Sequence, residues 1–225
     1  MDSPQKTYAT CLGELTHDQL HEKIDVLVET AREKFKDHIA RGLKAYRRRK
    51  AKRGIPVSAF LGPGRAGKDE ASIWLSTNFQ VDYSGSVSEF VCPLIAYALG
   101  RGEREVYDSR HDDRMFWYQF CNGLRRYDPA FLVKMCLAEG DIIAGIRGAA
   151  ELEACMAQGV IDVSFWIDNP RVDTDPTLEY LIDDCDFVIR NANNKLDYYR
   201  RLRKLAGMLD FTPRTDDSSL GENDG

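Results

Sequence analysis

The chain has 225 residues and a mass of 25.6 kDa, with 43% hydrophobic and 30% charged residues. This composition is ordinary for a globular protein, and one domain with one sizeable core is the first expectation. No stretch reaches the roughly 20 apolar residues that span a bilayer, and residues 1–20 lack the profile of a secretory signal, so a cytoplasmic protein without a membrane partner is expected.

The cysteines are scattered, with no CxxC pair and no histidine at the spacing of zinc ligands. Neither a disulfide scaffold nor a structural zinc site is therefore expected, and reduced thiols are the prediction. The formal net charge of −5 conceals an asymmetry, because residues 41–53 contain many Lys and Arg residues and no acidic residue. The remainder of the chain is correspondingly more acidic, which argues against unselective binding of nucleic acids.

The first predicted element is one long helix over residues 14–53. Thr16 and Gln19 offer a capping box at its start, and Gly54 and Pro56 end it. A single apolar stripe runs along the helix at steps of three or four residues, formed by Leu20, Ile24, Leu27, Ala31, Phe35, Ile39, Leu43 and Tyr46. Such a stripe packs against the body of the protein or pairs with a second copy in a homodimer, and the sequence leaves both open.

The carboxyl end of this helix is strongly basic. Arg47, Arg48 and Arg49 are its candidate nucleic-acid-binding residues, because clustered positive charge beside an acidic body restricts polyanion binding to one side. A solvated helix face without a partner explains the same residues.

From residue 55 onward, short apolar runs alternate with amphipathic segments, which is typical of a parallel α/β sheet. The expected strands are 57–61, 79–83, 141–146, 161–167 and 187–190. The expected helices are 68–77, 86–99, 112–126, 129–138, 148–158, 176–183 and 196–209. We divide the chain into an N-terminal helical arm (1–54), an α/β domain (55–210) and a disordered acidic tail (211–225), because the tail is almost free of apolar residues.

The first predicted strand is followed by a glycine-rich stretch that satisfies the pattern GxxxxGK, with an apolar strand before it and a helix after it. Its residues are Gly62, Pro63, Gly64, Arg65, Ala66, Gly67, Lys68 and Asp69. In this context the backbone N–H groups and the helix N-terminus receive the phosphates of a nucleotide, and the lysine reaches the terminal phosphates. The sequence therefore predicts an ATP-binding loop with Lys68 as a catalytic residue.

One residue of this stretch departs from the pattern. The Ser or Thr that ordinarily follows the lysine and ligates magnesium is Asp69. A carboxylate can hold Mg²⁺ through water, and Ser72 lies one helical turn further on. Mg²⁺ is therefore an expected cofactor, with Asp69 as its candidate ligand.

The chain resembles the deoxynucleoside monophosphate kinases of bacteriophages, a branch of the P-loop NMP-kinase superfamily. The resemblance covers residues 55–210 and starts from the Gly-Lys-Asp sequence at 67–69. Further similar segments follow in the same order, namely 96–100 with Gly85, Asp113 to Trp117, the strand that ends in Arg147, and Asp186 to Asn191. The resemblance implies a three-layer P-loop fold with a parallel sheet of about five strands, to which the N-terminal helix is an extension.

The departures from these kinases point to a particular acceptor. The segment after the second strand, 84–88, lacks the lysine that meets the acceptor's phosphate, and Asp168 stands where the family has a basic residue. A site that has lost positive charge suits an acceptor without a free terminal phosphate.

The strand ends at 145–147 (Gly-Ile-Arg) and 166–168 (Trp-Ile-Asp) are closer to a second group of phage P-loop kinases, which phosphorylate the hydroxymethyl group of 5-hydroxymethyluracil in DNA during thymidine hypermodification. This resemblance makes an ATP-dependent kinase of that base in phage DNA the first functional hypothesis. The segment from Arg41 to Arg53 would then hold the DNA backbone while the base turns into the site. The alternatives are a kinase of free deoxynucleoside monophosphates and a non-catalytic protein that binds a nucleotide.

Further site residues follow from positions at strand ends and helix starts. Arg147 ends a predicted strand, where open α/β sheets bind ligands, and Arg114 or Arg110 is placed to contact the transferred phosphate. Asp113 or Asp82 is expected to accept the proton of the acceptor hydroxyl. A helix cap at Asp113 and an ion pair of Arg147 with Glu151 are the alternatives. Core packing explains most of the aromatic residues of the helix over 112–126, and Trp117, Tyr118 or Trp166 is a candidate to stack on a base. Asn191 is a candidate contact of the ATP base, with a plain turn residue as the alternative.

Overall fold

The computed structural model describes residues 7–173, 175, 178–192 and 194–214. A five-stranded, wholly parallel sheet forms the centre of this part of the chain. Its strands are β3 (Ser58–Leu61), β4 (Tyr83–Ser86), β5 (Ile142–Ala144), β6 (Val163–Asp168) and β7 (Phe187–Arg190). They lie in the order β4-β5-β3-β6-β7. The expected α/β class and the approximate number of strands are confirmed.

Two further strands precede the sheet in the chain, β1 (Thr7–Thr10) and β2 (Gly13–Thr16), and they form a separate antiparallel hairpin. The helices are α1 (His17–Lys50), α2 (Lys68–Asn78), α3 (Val87–Leu99), α4 (Glu103–Asp108), α5 (Arg114–Arg125), α6 (Phe131–Cys136), α7 (Ala149–Ala157) and α8 (Lys195–Met208).

Alternation along the strands sends side chains to two separate cores. Phe60 packs with α2 and α8 on one face of the sheet, whereas Ala59 and Leu61 pack with α1, α3, α5 and α6 on the other. This follows from the period of two in a strand, and because both faces are covered the strands consist largely of apolar residues. The result is three layers, with helices on each side of the sheet.

The long N-terminal helix is part of this packing rather than a separate arm. Its capping box of Thr16 and Gln19 is present, and Leu20, Ile24 and Val28 are buried against the body of the protein. The helix contacts α3, α5 and α6 through the apolar stripe. The expectation that residues 14–16 begin the helix is wrong, since they form strand β2 and the chain turns into α1 only after the cap.

Several boundaries differ from the predictions. The strand expected over 79–83 begins only at Tyr83, and Phe79 and Val81, which precede it, pack in the core beside α2 and α8. Helix α4 was not predicted, and of the helix expected over 176–183 the described residues show only a short 3₁₀ turn at Ile182–Asp184. Residues 176 and 177 of that expected helix lie outside the described residues.

The start of the expected disordered tail is packed. Phe211 is 4% exposed in the core beside α8, and Pro213 forms a bridge with Phe79. The N–H of Gln80 donates to the carbonyl of Thr212 at 2.7 Å, and the N–H of Arg214 donates to that of Asn78. The expectation of disorder is therefore wrong for 211–214, and for 215–225 it lies outside the described residues.

The strand order determines where a ligand-binding crevice forms. The connection that leaves β3 runs to one side of the sheet and the one that leaves the neighbouring β6 runs to the other, so the two loops diverge at their carboxyl ends. Ligands of open parallel sheets bind at such a divergence. The glycine-rich stretch 62–67 lies there.

Among the described residues, no helix combines the length and the apolar character needed to cross a membrane.

Candidate functional site

The glycine-rich loop, residues 62–67, joins β3 to α2 at the carboxyl edge of the sheet. Two of its glycines have backbone angles that other residues rarely adopt, with φ of +121° at Gly62 and +105° at Gly67. A Cβ atom on Gly62 would lie 2.9 Å from the carbonyl oxygen of Ile167, and one on Gly67 would lie 2.5 Å from the amide nitrogen of Asn191. The loop thus requires glycine at both positions for its curvature and its close packing.

The back of this loop is attached to β7 and α8. The side-chain amide of Asn191 donates to the carbonyl of Ala66 at 2.9 Å, and the hydroxyl of Tyr198 donates to that of Gly67 at 3.0 Å. Asn191 therefore supports the loop, which is a different role from the contact with the base that the sequence suggested.

Gly67 also precedes α2, whose first N–H groups have no partners within the helix and carry the positive end of its dipole. The loop and the helix together direct donors and positive charge toward the same space. This is the arrangement that binds phosphate groups.

Lys68 is the first residue of α2 and is only 8% exposed. Its ammonium group donates to the carbonyl oxygens of Gly62 at 2.8 Å and Pro63 at 2.5 Å. Burial lowers its pKa to about 8, and the nearby positive charge of Arg147 acts in the same direction. A buried ammonium group that has only neutral oxygens as hydrogen-bond partners is suited to an anionic ligand.

Two arginines from other elements meet at this loop. Arg114, the first residue of α5, and Arg147, which follows β5, both bind the carboxylate of Asp175. The distances are 3.0 Å from Arg114 and 2.5 Å from Arg147, and the N–H of Gly64 donates to the same carboxylate at 3.2 Å. The structure thus brings together Lys68, Arg114 and Arg147, as the sequence predicted, but it adds an acidic residue that the sequence analysis did not identify.

A cavity extends from these arginines between α5, β5 and the start of α3. Its lining includes Val87, Ser88, Arg110, His111, Arg114, Trp117, Tyr118, Cys121, Arg125, Gly145, Arg147 and Glu151. Trp117 is buried in the core at 7% exposed, in agreement with the core-packing alternative, whereas Tyr118 is half-buried and supplies aromatic surface of the kind that stacks on a base. Arg110, Arg114 and Arg147 bring positive charge to this cavity, so it is not poor in positive charge, contrary to the expectation from residues 84–88.

His111 lies at the exposed rim of this cavity. Partial burial, followed by the positive charges of Arg110, Arg114 and Arg65, lowers its pKa. These surroundings favour the neutral imidazole over the charged one. The sequence predicts no role for this residue: Arg110 and Arg114 are its neighbours in the chain, whereas Arg65 reaches it from the glycine-rich loop.

The deep end of the cavity holds a buried ion pair. Arg125 binds the carboxylate of Glu151, whose side chain is 2% exposed. Burial raises the pKa of Glu151, while the charge of Arg125 opposes that shift. The expected pairing of Glu151 with Arg147 is not found: Arg125 takes this place, and Arg147 turns toward the glycine-rich loop.

The two candidate proton acceptors are not brought to the loop. Asp113 precedes α5 but lies beside the thiol of Cys11 in the hairpin, where burial and this carboxylate raise the pKa of the thiol to about 11. Asp82 precedes β4, at the opposite edge of the sheet, and pairs with Arg49 and Arg214. Neither carboxylate is among the residues that line the cavity.

Asp69 is compatible with an indirect role in holding Mg²⁺. It is exposed at the N-terminus of α2, and one carboxylate oxygen accepts a hydrogen bond from Tyr83 at 2.8 Å, which leaves the other oxygen to bind water. Ser72 is buried and donates to the carbonyl of Lys68, so it faces away from the loop. Within the described ranges, no cluster of three or more metal-ligating side chains occurs.

The basic end of α1 lies far from this site. Arg49 binds Asp141 at 2.6 Å and Asp82 at 2.9 Å, and both carboxylates precede strands of the parallel sheet. The glycine-rich loop follows such a strand, so the length of the sheet, about 13 Å for four residues, separates the two. Arg47 and Arg48 are exposed, whereas Arg49 stabilises the fold.

A comparison with protein-family models finds no match, and a comparison with curated proteins finds no similar sequence.

Proposed function

We propose that the protein is an ATP-dependent phosphotransferase whose acceptor is a nucleotide, in DNA or free, bound in the arginine-lined cavity. The observation that carries this proposal is the convergence of Lys68, Arg114 and Arg147 on the glycine-rich loop, at the mouth of that cavity. Phosphoryl transfer needs positioned positive charge around the moving group more than it needs covalent chemistry, and these three side chains provide that charge.

The position of each group of the chain determines which phosphate it contacts in this proposal. The amides of the loop and the N-terminus of α2 bind the phosphates, Lys68 neutralises the terminal ones, and Arg114 with Arg147 faces the group that leaves for the acceptor. Mg²⁺, when bound, adds positive charge between the outer phosphates, and Asp69 would hold it through water.

We propose 5-hydroxymethyluracil in DNA as the first acceptor. Its support is the resemblance of the strand ends at 145–147 and 166–168 to kinases of that base, together with the aromatic wall formed by the half-buried Tyr118 and the largely buried Trp117. A base turned out of DNA would stack on such a wall while its hydroxymethyl group faces the phosphate site. The basic end of α1 adds nothing to this acceptor site, because it lies at the opposite edge of the sheet.

A free deoxynucleoside monophosphate is the second candidate acceptor. The observation that favours it is the group of arginines in the cavity, since Arg110 and Arg114 offer charged donors for a terminal phosphate. In this case the phosphate of the mononucleotide, rather than a hydroxyl group of the base, receives the phosphoryl group.

Transfer of label from γ-labelled ATP tests the proposal and separates the two acceptors. Purified protein with Mg²⁺ is given DNA containing 5-hydroxymethyluracil, the same DNA with thymine, and each deoxynucleoside monophosphate. Label on the modified DNA alone supports the first acceptor, and label on a mononucleotide supports the second. Label on none of them, from a folded protein, contradicts the proposal.

The matched control is the variant Lys68→Met, which keeps most of the side-chain volume and removes the charge. Any transfer that depends on this site is lost in the variant. Transfer that persists in Lys68→Met comes from a contaminating kinase.

A further inference from the structure

Asp175 lies at the centre of the candidate phosphate site, although the proposed reaction gives it no role. Its carboxylate is 3% exposed and accepts hydrogen bonds from groups of three different segments. The N–H of Gly64 and Arg147 both donate to Oδ2, at 3.2 Å and 2.5 Å, and Arg114 donates to Oδ1 at 3.0 Å. Asp175 thus connects the glycine-rich loop to the two arginines.

The donors around this carboxylate are those that a phosphoryl group uses. A loop N–H and two guanidinium groups form charge-assisted hydrogen bonds with phosphate oxygens as readily as with carboxylate oxygens. A phosphoryl group bound at Gly64, Arg114 and Arg147 would need the space and the N–H groups that Asp175 occupies. The two anions therefore exclude each other.

The charges at the site lead to the same conclusion. Lys68, Arg114 and Arg147 bring three positive charges close together, and the carboxylate of Asp175 offsets some of their repulsion. A phosphoryl group with two negative charges offsets it better, whereas both anions at contact distance would repel each other strongly.

Lys68 is occupied in a similar way. Its ammonium group donates to carbonyl oxygens of the glycine-rich loop itself, those of Gly62 and Pro63. The charged donors Lys68, Arg114 and Arg147 are thus all engaged by groups of the chain, as is the N–H of Gly64. Binding of the nucleotide requires these internal contacts to be exchanged for contacts with phosphate.

We propose that Asp175 is an internal substitute for the transferred phosphoryl group. Its carboxylate holds Arg114 and Arg147 at the loop before the nucleotide binds, and it releases their N–H groups to the terminal phosphoryl group of a bound triphosphate. This inference rests on the proposed function and adds a regulatory contact to it: the exchange lowers the affinity for a triphosphate but leaves that for a diphosphate nearly unchanged, because the diphosphate lacks the competing group.

Calorimetric titration of the full-length protein with MgATP and with MgADP tests the inference. Asp175→Asn keeps the shape of the side chain and removes its charge. Asp173→Asn is the matched control, because Asp173 is an exposed residue two positions away and its substitution removes the same charge from the chain. We expect Asp175→Asn to bind MgATP about tenfold more tightly than the wild type and the control do, with MgADP affinity changed by less than about twofold.

Equal or weaker MgATP binding by Asp175→Asn would overturn the inference. Weaker binding would mean that the carboxylate remains in place and orients the arginines in the nucleotide complex. If Asp175→Asn does not fold, Asp175→Ser gives the same comparison with a smaller side chain.

The outcome for the wild type separates this inference from the proposed function. A wild type that binds MgATP while Asp175→Asn matches Asp173→Asn overturns the role of Asp175 alone. A folded wild type that binds neither nucleotide overturns both.

Discussion

Lys68 is a buried ammonium group whose hydrogen-bond partners are carbonyl oxygens. Burial and the charge of Arg147 lower its pKa to about 8, from an ordinary value of 10.5. In the nucleotide-free protein the side chain is therefore charged at pH 7 and loses its charge as the pH rises through about 8. A bound triphosphate favours the charged form, so binding above that pH takes up a proton.

This coupling predicts that MgATP affinity falls as the pH rises above about 8, and that the decrease approaches tenfold for each pH unit. The measurement is the dissociation constant of MgATP between pH 7 and 9.5 by calorimetry. Lys68→Met is the control, and it binds more weakly without this dependence on pH. The same slope in the wild type and in Lys68→Met would assign the titration to another group.

At the scale of single elements, helix α1 serves two purposes at its basic end. Arg49 is held between Asp141 and Asp82 at the amino edge of the sheet, whereas Arg47 and Arg48 are exposed. One helix end thus contains a residue that stabilises the fold beside residues that are available to a partner.

We predict that Arg49→Ala lowers the free energy of unfolding by about 2 kcal/mol, because it leaves the buried carboxylate of Asp141 without its closest cation. The double variant Arg47→Ala/Arg48→Ala stays within about 0.5 kcal/mol of the wild type. Urea denaturation measures both. Equal stability of the two variants would contradict the structural role of Arg49.

The double variant also tests nucleic-acid binding by the basic end of α1. If these arginines contact a phosphate backbone, removing them weakens DNA binding and reduces the slope of log affinity against log salt by about two. Fluorescence anisotropy with labelled DNA at several salt concentrations measures the slope. An unchanged slope would mean that these residues only form a solvent-exposed face of the helix.

The segment after α8 yields a second prediction at this scale. Phe211 is 4% exposed and packs beside α2 and α8. We expect Phe211→Ala to lower the free energy of unfolding by about 3 kcal/mol through the cavity that it leaves. Met208→Ala, at a 67% exposed position nearby, is the control and changes stability little. A small effect of Phe211→Ala in thermal denaturation would mean that this residue is not packed in the core and belongs to the tail.

At the scale of the whole molecule, α1 is part of the core on one face of the sheet. Ile24 and Val28 are buried in the cluster that also contains residues of α3, α5 and α6. The apolar stripe therefore packs within the chain, which is one of the two arrangements that the sequence left open, and pairing with a second copy stays a prediction.

This packing predicts that α1 and the sheet unfold together. The three tryptophans, Trp74, Trp117 and Trp166, all lie in the α/β part and report on its unfolding. We expect Ile24→Ala to lower the free energy of unfolding, measured from the fluorescence transition in urea, by about 2–4 kcal/mol. Val26→Ala, at a 64% exposed position, is the control. A transition unchanged by Ile24→Ala would mean that the helix is a separate arm.

The sequence by itself determined the features that depend on local order. The period of apolar residues predicted α1 and the buried strands. The glycines of 62–67 predicted a curved loop, because glycine adopts backbone angles with positive φ without strain. Lys68 followed from its place after that loop, and Arg147 from its place after a strand.

Only the tertiary structure decided which distant residues meet. Asp175 reaches the loop from more than 100 positions along the chain, Glu151 pairs with Arg125 rather than Arg147, and Asp82 lies at the edge of the sheet opposite to the glycine-rich loop. The order of strands and the sides on which the helices cross determine these contacts, and no local pattern carries that information. The same topology separates the basic end of α1 from the site by the length of the strands.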